Sequence, residues 1–301
     1  PQTLFLAGDF ERMSAMDASL SWSHYFEEAY PGRNSRDRRS ELLELLLEFF
    51  SGEDGIGFVR EANLSGEDYF VQLDWERLQG MCLVPHVFAA MTHVPEDAIK
   101  CLGAAMHTVL FSQGGMVAAE VAGCSVPIRK VEVQVFNHRE SIIALRELKS
   151  QLVGKLVTVK GMVVRMGQVR PLVTSCVFRC EKCGEDKNIR FKQGLWSKPT
   201  YCGAEGCRSQ KFSALKPLAT TVDWQKLRVQ EVLEGNAREE GRVPRTVECE
   251  LMSSLVDCCA PGDLVEVCGV VEVIKAGADV GKRGASKGEI ANLYYLYIEC
   301  C

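Results

Sequence analysis

Four cysteines in the middle of the chain have the spacing of a metal site. The sequence reads C-E-K-C-G at 180–184 and C-G-A-E-G-C at 202–207, so two close pairs are separated by eighteen residues. Pairs of this kind hold zinc because each pair sits on a tight turn and the two turns meet across a short hairpin. The predicted Zn²⁺ ligands are Cys180, Cys183, Cys202 and Cys207.

We expect this zinc to be structural. Four thiolates at about 2.3 Å complete the tetrahedron and leave no position for a reactive water. Cys176 lies four residues before the first ligand, outside the paired spacing, and is therefore not counted as a ligand. The other cysteines show no disulfide spacing and mostly sit among apolar residues, which favours a reducing compartment, cytosol or nucleus.

A second group of residues has the chemistry to bind phosphates. Basic side chains on a barrel face and on a protruding hairpin can contact a nucleic-acid backbone without reading its bases. The candidate DNA-binding residues are Arg165, Arg170, Lys226, Arg228, Arg238, Arg242 and Arg245. The hairpin is also acidic, so a solvated loop of mixed charge remains the alternative; its carboxylates are Glu231, Glu234, Glu239 and Glu240.

The distribution of charge supports a polyanionic partner for the middle of the chain. The formal net charge of the 301 residues is −5, which by itself argues against nucleic acid. Residues 126–228, however, carry a net charge of +12 between flanks of −11 and −6. A basic block between acidic flanks is expected of a domain that meets phosphates.

No catalytic motif is evident. Gly281-Lys282 is followed by Arg283 rather than Ser or Thr, and position 276 is Ala, so the match to a phosphate-binding P-loop fails. No nucleophile elbow, matched carboxylate pair or His–Cys dyad stands out. We therefore expect these residues to bind rather than to catalyse, and no apolar run is long enough to span a membrane.

The elements that must position these residues divide the chain in two. Residues 1–125 show helical periodicity, clearest in the apolar stripe of 37–50 and in the helix that begins at Pro95, so they predict a helical bundle. After residue 125 the pattern changes to alternating strands. The predicted strands span 128–136, 155–165, 220–230, 246–252, 263–275 and 292–300, with a short helix at 141–148.

The predicted fold is α+β and multidomain. A helical bundle at 1–125 precedes a small Greek-key barrel of the OB-fold type, formed by 126–175 and 216–301. A four-cysteine zinc-finger insertion at 176–215 and a long β-hairpin at 231–245 interrupt this barrel. The glycine-rich segment 276–289 is a further excursion, and Gly161 is expected at a bend or bulge.

Several long motifs resemble the N-terminal region of minichromosome maintenance (MCM) helicase subunits. They are G-K-L-V-T-V-K-G-M-V-V-R at 154–165, V-R-P at 169–171, F-R-C-E-K-C-G at 178–184, V-Q-E at 229–231, G-R-V-P-R-T-V-E-C-E-L at 241–251 and P-G-D at 261–263. The resemblance is strong over 126–301 and loose over 1–125. The segment T-V-D-W-Q-K-L-R-V-Q-E is most similar to the branch of the family associated with homologous recombination rather than replication licensing.

The resemblance implies a role in DNA repair in the nucleus. It implies a hexameric ring with other MCM subunits, among them the ninth MCM paralogue. The zinc fingers of the subunits would form one tier of this ring. It implies that the hairpin at 231–245 projects onto single- and double-stranded DNA in a central channel. It also implies that 276–289 is a communication loop toward the ATPase tier. Arg165 and Arg170 are the nearest candidates for contacts with single-stranded DNA.

The resemblance also implies that the parent protein is an ATP-dependent DNA helicase whose ATPase tier, with ATP and Mg²⁺, lies outside this chain. Because the first residue is not Met, we expect the chain to begin inside a longer gene product. Two other classes stay open: a scaffold in which barrel and zinc finger contact only protein, and a metal-dependent enzyme of nucleic acids.

Overall fold

The computed structural model describes residues 15–32, 36–66, 68–82, 84–112, 115–191, 196–232, 243–275 and 294–301. Helices dominate as far as residue 122, and strands dominate after residue 130, which gives the α+β content expected from the sequence. Among the described residues, no helix combines the length and the apolar character that a membrane crossing requires.

Seven α-helices lie in the described part of the N-terminal region. Their bounds are α1 Ala15–Tyr25, α2 Arg38–Ser51, α3 Ile56–Arg60, α4 Trp75–Met81, α5 Pro85–His93, α6 Pro95–Phe111 and α7 Met116–Ala122. Helix α2 begins where Asp37 accepts a hydrogen bond from the backbone N–H of Arg39 at 2.9 Å. Its predicted apolar stripe is buried, and so is nearly all of α6, which α1, α2 and α5 contact.

A two-stranded parallel sheet joins this helical unit. Strand β1, Tyr69–Asp74, pairs along its whole length with β2, Val131–Phe136. The expected barrel segment 126–175 therefore begins with a strand that belongs to the helices instead. The buried hydroxyl of Tyr25 in α1 fixes this placement, because it donates to the carbonyl of Val131 at 2.7 Å and accepts from the N–H of Val131 at 3.1 Å.

The remaining strands form one eight-stranded sheet. They are β3 Ile142–Ile143, β4 Leu156–Met166, β5 Arg170–Cys180, β6 Asp186–Arg190, β7 Phe212–Gln230, β8 Thr246–Met252, β9 Leu264–Lys275 and β10 Tyr294–Cys300. The order is β3-β4-β9-β10-β8-β7-β5-β6, and β4 also pairs with β7. The hydrogen-bonded circuit β4-β9-β10-β8-β7 thus returns to its first strand.

One local expectation was wrong, and a second was wrong in part. Residues 141–148 do not form one short helix; a two-residue strand separates two single 3-10 turns, Arg139–Ser141 and Leu145–Glu147. Gly161 is not at the bulge of β4, which lies between Val163 and Arg165. Gly161 instead allows a close crossing, because an added Cβ would lie 2.4 Å from a side-chain carbon of Val229.

The proposed zinc-finger insertion is continuous with the rest of the sheet. We call β5, β6, the first part of β7 and the turns between them the ribbon. Strand β5 crosses the expected boundary at 176, and β7 crosses the one at 216 without a break. The ribbon has its own small core around Cys176, Phe178 and Phe191, and its two long strands continue into the rest of the sheet.

Candidate nucleic-acid interface and metal centre

The four predicted zinc ligands converge at the end of the ribbon. Their sulfurs all lie within 4.8 Å of one another. The sulfurs of Cys180 and Cys207 are 3.9 Å apart, and those of Cys183 and Cys202 are 3.5 Å apart. A tetrahedral zinc bound at about 2.3 Å requires sulfurs about 3.8 Å apart, so the quartet fits such an ion.

Backbone turns hold each cysteine pair in place. The N–H of Gly184 donates to the carbonyl of Cys180 at 2.9 Å, and the N–H of Cys207 donates to the carbonyl of Ala204 at 3.0 Å. Gly184 and Gly206 both have φ of +76°, a left-handed conformation that side chains disfavour. The glycines next to the cysteines are therefore a requirement of the two turns.

The protein surroundings favour the charged form of one ligand. Backbone N–H groups of Cys183 and Lys182 face the sulfur of Cys180 and lower the pKa of that thiol to about 6. Cys176 stays outside the quartet, as expected: its sulfur points into the ribbon core, 3.9 Å from the carbonyl of Leu215. The donor set therefore consists of four thiols and suits a structural metal.

Four of the predicted DNA-binding residues line one groove. The groove has a volume of about 730 Å³, and residues of β4, β5, β7, β8, β9 and β10 line it. The four predicted residues that it brings together are Arg165, Arg170, Lys226 and Arg228. The sequence separates them by up to 63 positions, so only strand pairing makes them neighbours.

The register of β7 explains this convergence. Arg165 of β4 pairs with Arg228, and Arg170 of β5 pairs with Trp224. Strand β7 is therefore the shared partner of both arginine-bearing strands. Lys226 lies between the two pairings, and the close approach of β4 to β7 is completed by the N–H of Gly167, which donates to the carbonyl of Lys226 at 2.7 Å.

The four cations are not equivalent. Arg165 and Arg170 are exposed, and neither has an ion pair with any other described residue. Lys226 and Arg228 are paired across the sheet with Glu248: the distances are 3.2 Å from the Lys226 ammonium and 2.7 Å from the Arg228 guanidinium. The two unpaired arginines are therefore the cations most available to a ligand.

The hairpin residues are only partly described. Arg238 and Arg242 lie outside the described residues. The strands that flank the hairpin pair as expected, from Trp224 with Met252 to Gln230 with Thr246. Arg245 is exposed, and its guanidinium donates to the carbonyl of Arg146 at 3.3 Å rather than facing the groove. Arg245 is thus not among the groove residues.

Sequence reasoning missed the carboxylates and the aromatic side chains of the groove. Glu248 lines the groove, and Glu250 lies close to it, 4.0 Å from Lys226. Both alternate on β8 with buried residues, and this alternation was the available signal that they share a face with the basic positions of β7. The groove also contains Trp224 and Tyr295. The indole N–H of Trp224 donates to Glu250 at 3.1 Å, which orients that ring.

Comparisons with known proteins agree on the family of the central region. Residues 144–275 match the MCM OB domain. The chain is similar to "Probable DNA helicase MCM8" of Arabidopsis thaliana, with 40% identity over 260 residues that cover 86% of this chain and 32% of that protein. The corresponding protein of Oryza sativa subsp. indica is 36% identical over 295 residues, 95% of this chain and 35% of its own length.

An animal relative is matched over a similar share of both chains. "DNA helicase MCM8" of Homo sapiens is 32% identical over 293 residues, which are 92% of this chain and 34% of that protein. The chain therefore spans about a third of the length of the curated relatives that it matches.

Proposed function

Because the chain belongs to the MCM family, we propose that it is the N-terminal DNA-binding and ring-assembly module of an MCM-type DNA helicase acting in homologous recombination and DNA repair. The observation that supports DNA contact is the groove in which β7 gathers Arg165, Arg170, Lys226 and Arg228. In this proposal the chain itself hydrolyses nothing. ATP and Mg²⁺ act in another part of the parent helicase.

The proposed roles are assigned to the helical unit, the sheet and the ribbon in turn. In this proposal the described helices with β1 and β2 would be the helical A subdomain, the circuit β4-β9-β10-β8-β7 would be the OB barrel, and the ribbon would be the zinc finger. Zinc would be held by Cys180, Cys183, Cys202 and Cys207 and would supply a rigid four-way crosslink without reaction chemistry. The hairpin 231–245, with Arg238, Arg242 and Arg245, would meet single- or double-stranded DNA in the channel.

The proposed assembly is a hexameric ring of MCM subunits, including the ninth paralogue, in the nucleus. The relatives' name as helicases and the basic groove support DNA as the ligand. Exposed arginines on a sheet face form charge-assisted hydrogen bonds with phosphate oxygens. Since such contacts release counterions, the proposed binding must weaken steeply as salt rises.

The test is a double substitution of the unpaired arginines. We expect Arg165→Ala with Arg170→Ala to weaken binding of a labelled oligothymidylate about tenfold and to reduce the slope of log affinity against log salt by about 1.4, because two phosphate contacts are lost. Fluorescence anisotropy across a salt series measures both quantities. The proposed DNA contact requires the slope to change as well as the affinity.

A matched control removes the same charge elsewhere. Arg60 and Arg139 are exposed arginines paired with Glu120 and Glu76, away from the groove. Arg60→Ala with Arg139→Ala should leave the affinity within about twofold of wild type. Equal weakening by both double variants, or no binding at low salt, would contradict DNA contact by the groove and favour the protein-interaction scaffold.

A further inference from the structure

Two of the four groove cations are held by an internal anion. Glu248 bridges them: one carboxylate oxygen accepts from the Arg228 guanidinium at 2.7 Å, and the other accepts from the Lys226 ammonium at 3.2 Å. The three side chains are between one-third and one-half exposed. The bridge therefore lies on the surface that a ligand in the groove would reach.

The bridge presents to both cations what a phosphodiester would present. A carboxylate and a phosphodiester each offer two oxygens that share one negative charge, and both accept paired hydrogen bonds from basic side chains. In addition, Arg165, which has no ion pair with another described residue, pairs with Arg228 in the sheet register, so its guanidinium lies beside the one that Glu248 holds. A phosphate that binds Arg165 thus arrives next to the position of the Glu248 carboxylate.

We propose that Glu248 competes with a nucleic-acid phosphate for Lys226 and Arg228, so that DNA fills this groove only by displacing an internal carboxylate. The inference rests on the proposed DNA-binding function and adds a residue that sets its affinity. The hydrogen bond from Arg228 lowers the pKa of Glu248, so the competitor stays charged near neutral pH. Glu250 is a second carboxylate close to the bridge, 4.0 Å from Lys226.

Exchange of the two anions is energetically feasible at this site. Exposed ion pairs contribute little to stability because water and salt screen them, so the Glu248 bridge is weak enough to open. After the exchange, Lys226 and Arg228 are paired with the phosphate, and the Glu248 carboxylate is hydrated by solvent. The groove would then hold DNA less tightly than its four cations alone suggest.

The experiment compares two charge-removing substitutions with matched surroundings. Glu248→Gln opens the proposed site, whereas Glu266→Gln removes an equally exposed carboxylate that is paired with Lys160 at 2.8 Å on a different part of the sheet. We expect Glu248→Gln to strengthen binding of labelled oligothymidylate about threefold to tenfold and to steepen the salt slope by about 1. Glu266→Gln should change neither quantity appreciably.

A double-mutant cycle separates competition from a general change in charge. In a chain that carries Lys226→Gln and Arg228→Gln, the Glu248→Gln substitution should bring no further gain, because the cations it frees are gone. Melting temperatures confirm that each variant is folded. The cycle therefore assigns the gain to the bridge itself.

Each outcome has a distinct meaning. The competition is overturned if wild type binds DNA and Glu248→Gln and Glu266→Gln change the affinity by the same factor. It is also overturned if the gain in affinity persists without Lys226 and Arg228. In both cases the proposed function stands. If neither wild type nor Glu248→Gln binds single-stranded or duplex DNA at low salt, both the competition and the proposed DNA-binding function are contradicted.

Discussion

Gly161 shows how strongly one residue can fix the position of the groove. A Cβ at this position would lie 2.4 Å from Val229 and 2.6 Å from the carbonyl oxygen of Gln230. Such contacts are far inside van der Waals distance, and the backbone oxygen cannot rotate away. The close approach of β4 to β7, which aligns Arg165 with Arg228, therefore depends on the absence of a side chain at Gly161.

Substitution of Gly161 should be costly for this reason. We expect Gly161→Ala to lower the free energy of unfolding by about 1 to 3 kcal/mol, because β4 and β7 must separate to admit the methyl group. Urea unfolding followed by tryptophan fluorescence measures the change. Gly80 in α4 is the control: no atom outside its neighbours lies within 4 Å of its Cβ position, so Gly80→Ala should not destabilise. Equal losses in both variants would contradict this explanation.

At the scale of elements, β7 is the strand on which the binding surface depends. Its first part pairs with β5 in the ribbon, and its last part pairs with β4 and β8. One strand, β7, runs from beside the cysteine quartet to Trp224 and Lys226 in the groove. The quartet and the groove therefore share a backbone segment.

The ribbon should lose its structure before the rest of the sheet when one of the four predicted zinc ligands is removed. We expect Cys202→Ser to abolish tight zinc binding, since three thiolates cannot complete the tetrahedron, and to expose ribbon amides while β4, β9 and β10 stay protected. Elemental analysis and hydrogen exchange report the two effects. Assembly should weaken before DNA binding. Cys124→Ser, which changes an exposed cysteine outside the quartet, is the control; a Cys202→Ser variant with normal assembly and lost DNA contact would contradict the proposed role.

At the scale of the whole molecule, the helical unit packs against the sheet. Leu156, Cys268 and Val270 of the sheet belong to the same buried cluster as the helices. Charged residues surround this junction. Glu299 of β10 is largely buried, and it lies near Glu96 and Lys100 at the start of α6 and near Glu272 and Glu250 on the neighbouring strands.

This junction should make stability depend on pH. Burial, reinforced by the neighbouring carboxylates, raises the pKa of Glu299 from 4.5 to about 7. The folded chain therefore binds more protons at this site than the unfolded chain between those values, and stability falls as pH rises through that window. Glu299→Gln, which stays neutral, should be more stable than wild type by about 2 to 3 kcal/mol at pH 8 and similar to it at pH 4.5.

Thermal unfolding of both chains across pH 4.5 to 8 measures this difference. Glu266→Gln serves again as control, because its carboxylate is exposed and paired with Lys160, so the substitution should give no pH-dependent gain across this range. A stability difference for Glu299→Gln that is constant across the range would contradict a titrating carboxylate at the junction.

The sequence by itself determined the local chemistry of this protein. Cysteine spacing and adjacent glycines specify the metal quartet because the two turns are local structures, and alternation specifies most strands because it reflects which face is buried. Motifs identified the family for the same reason: they record local sequence.

Only the tertiary structure decided which residues share a surface. Arg165 meets Arg228 because of the register between β4 and β7, and Glu248 lies opposite Arg228 because of the register between β7 and β8; no spacing along the chain encodes either pairing. The same holds for β2, whose alternation predicted a strand but not its partner. Strand register is set by packing over the whole sheet, so it appears only when distant segments are placed together.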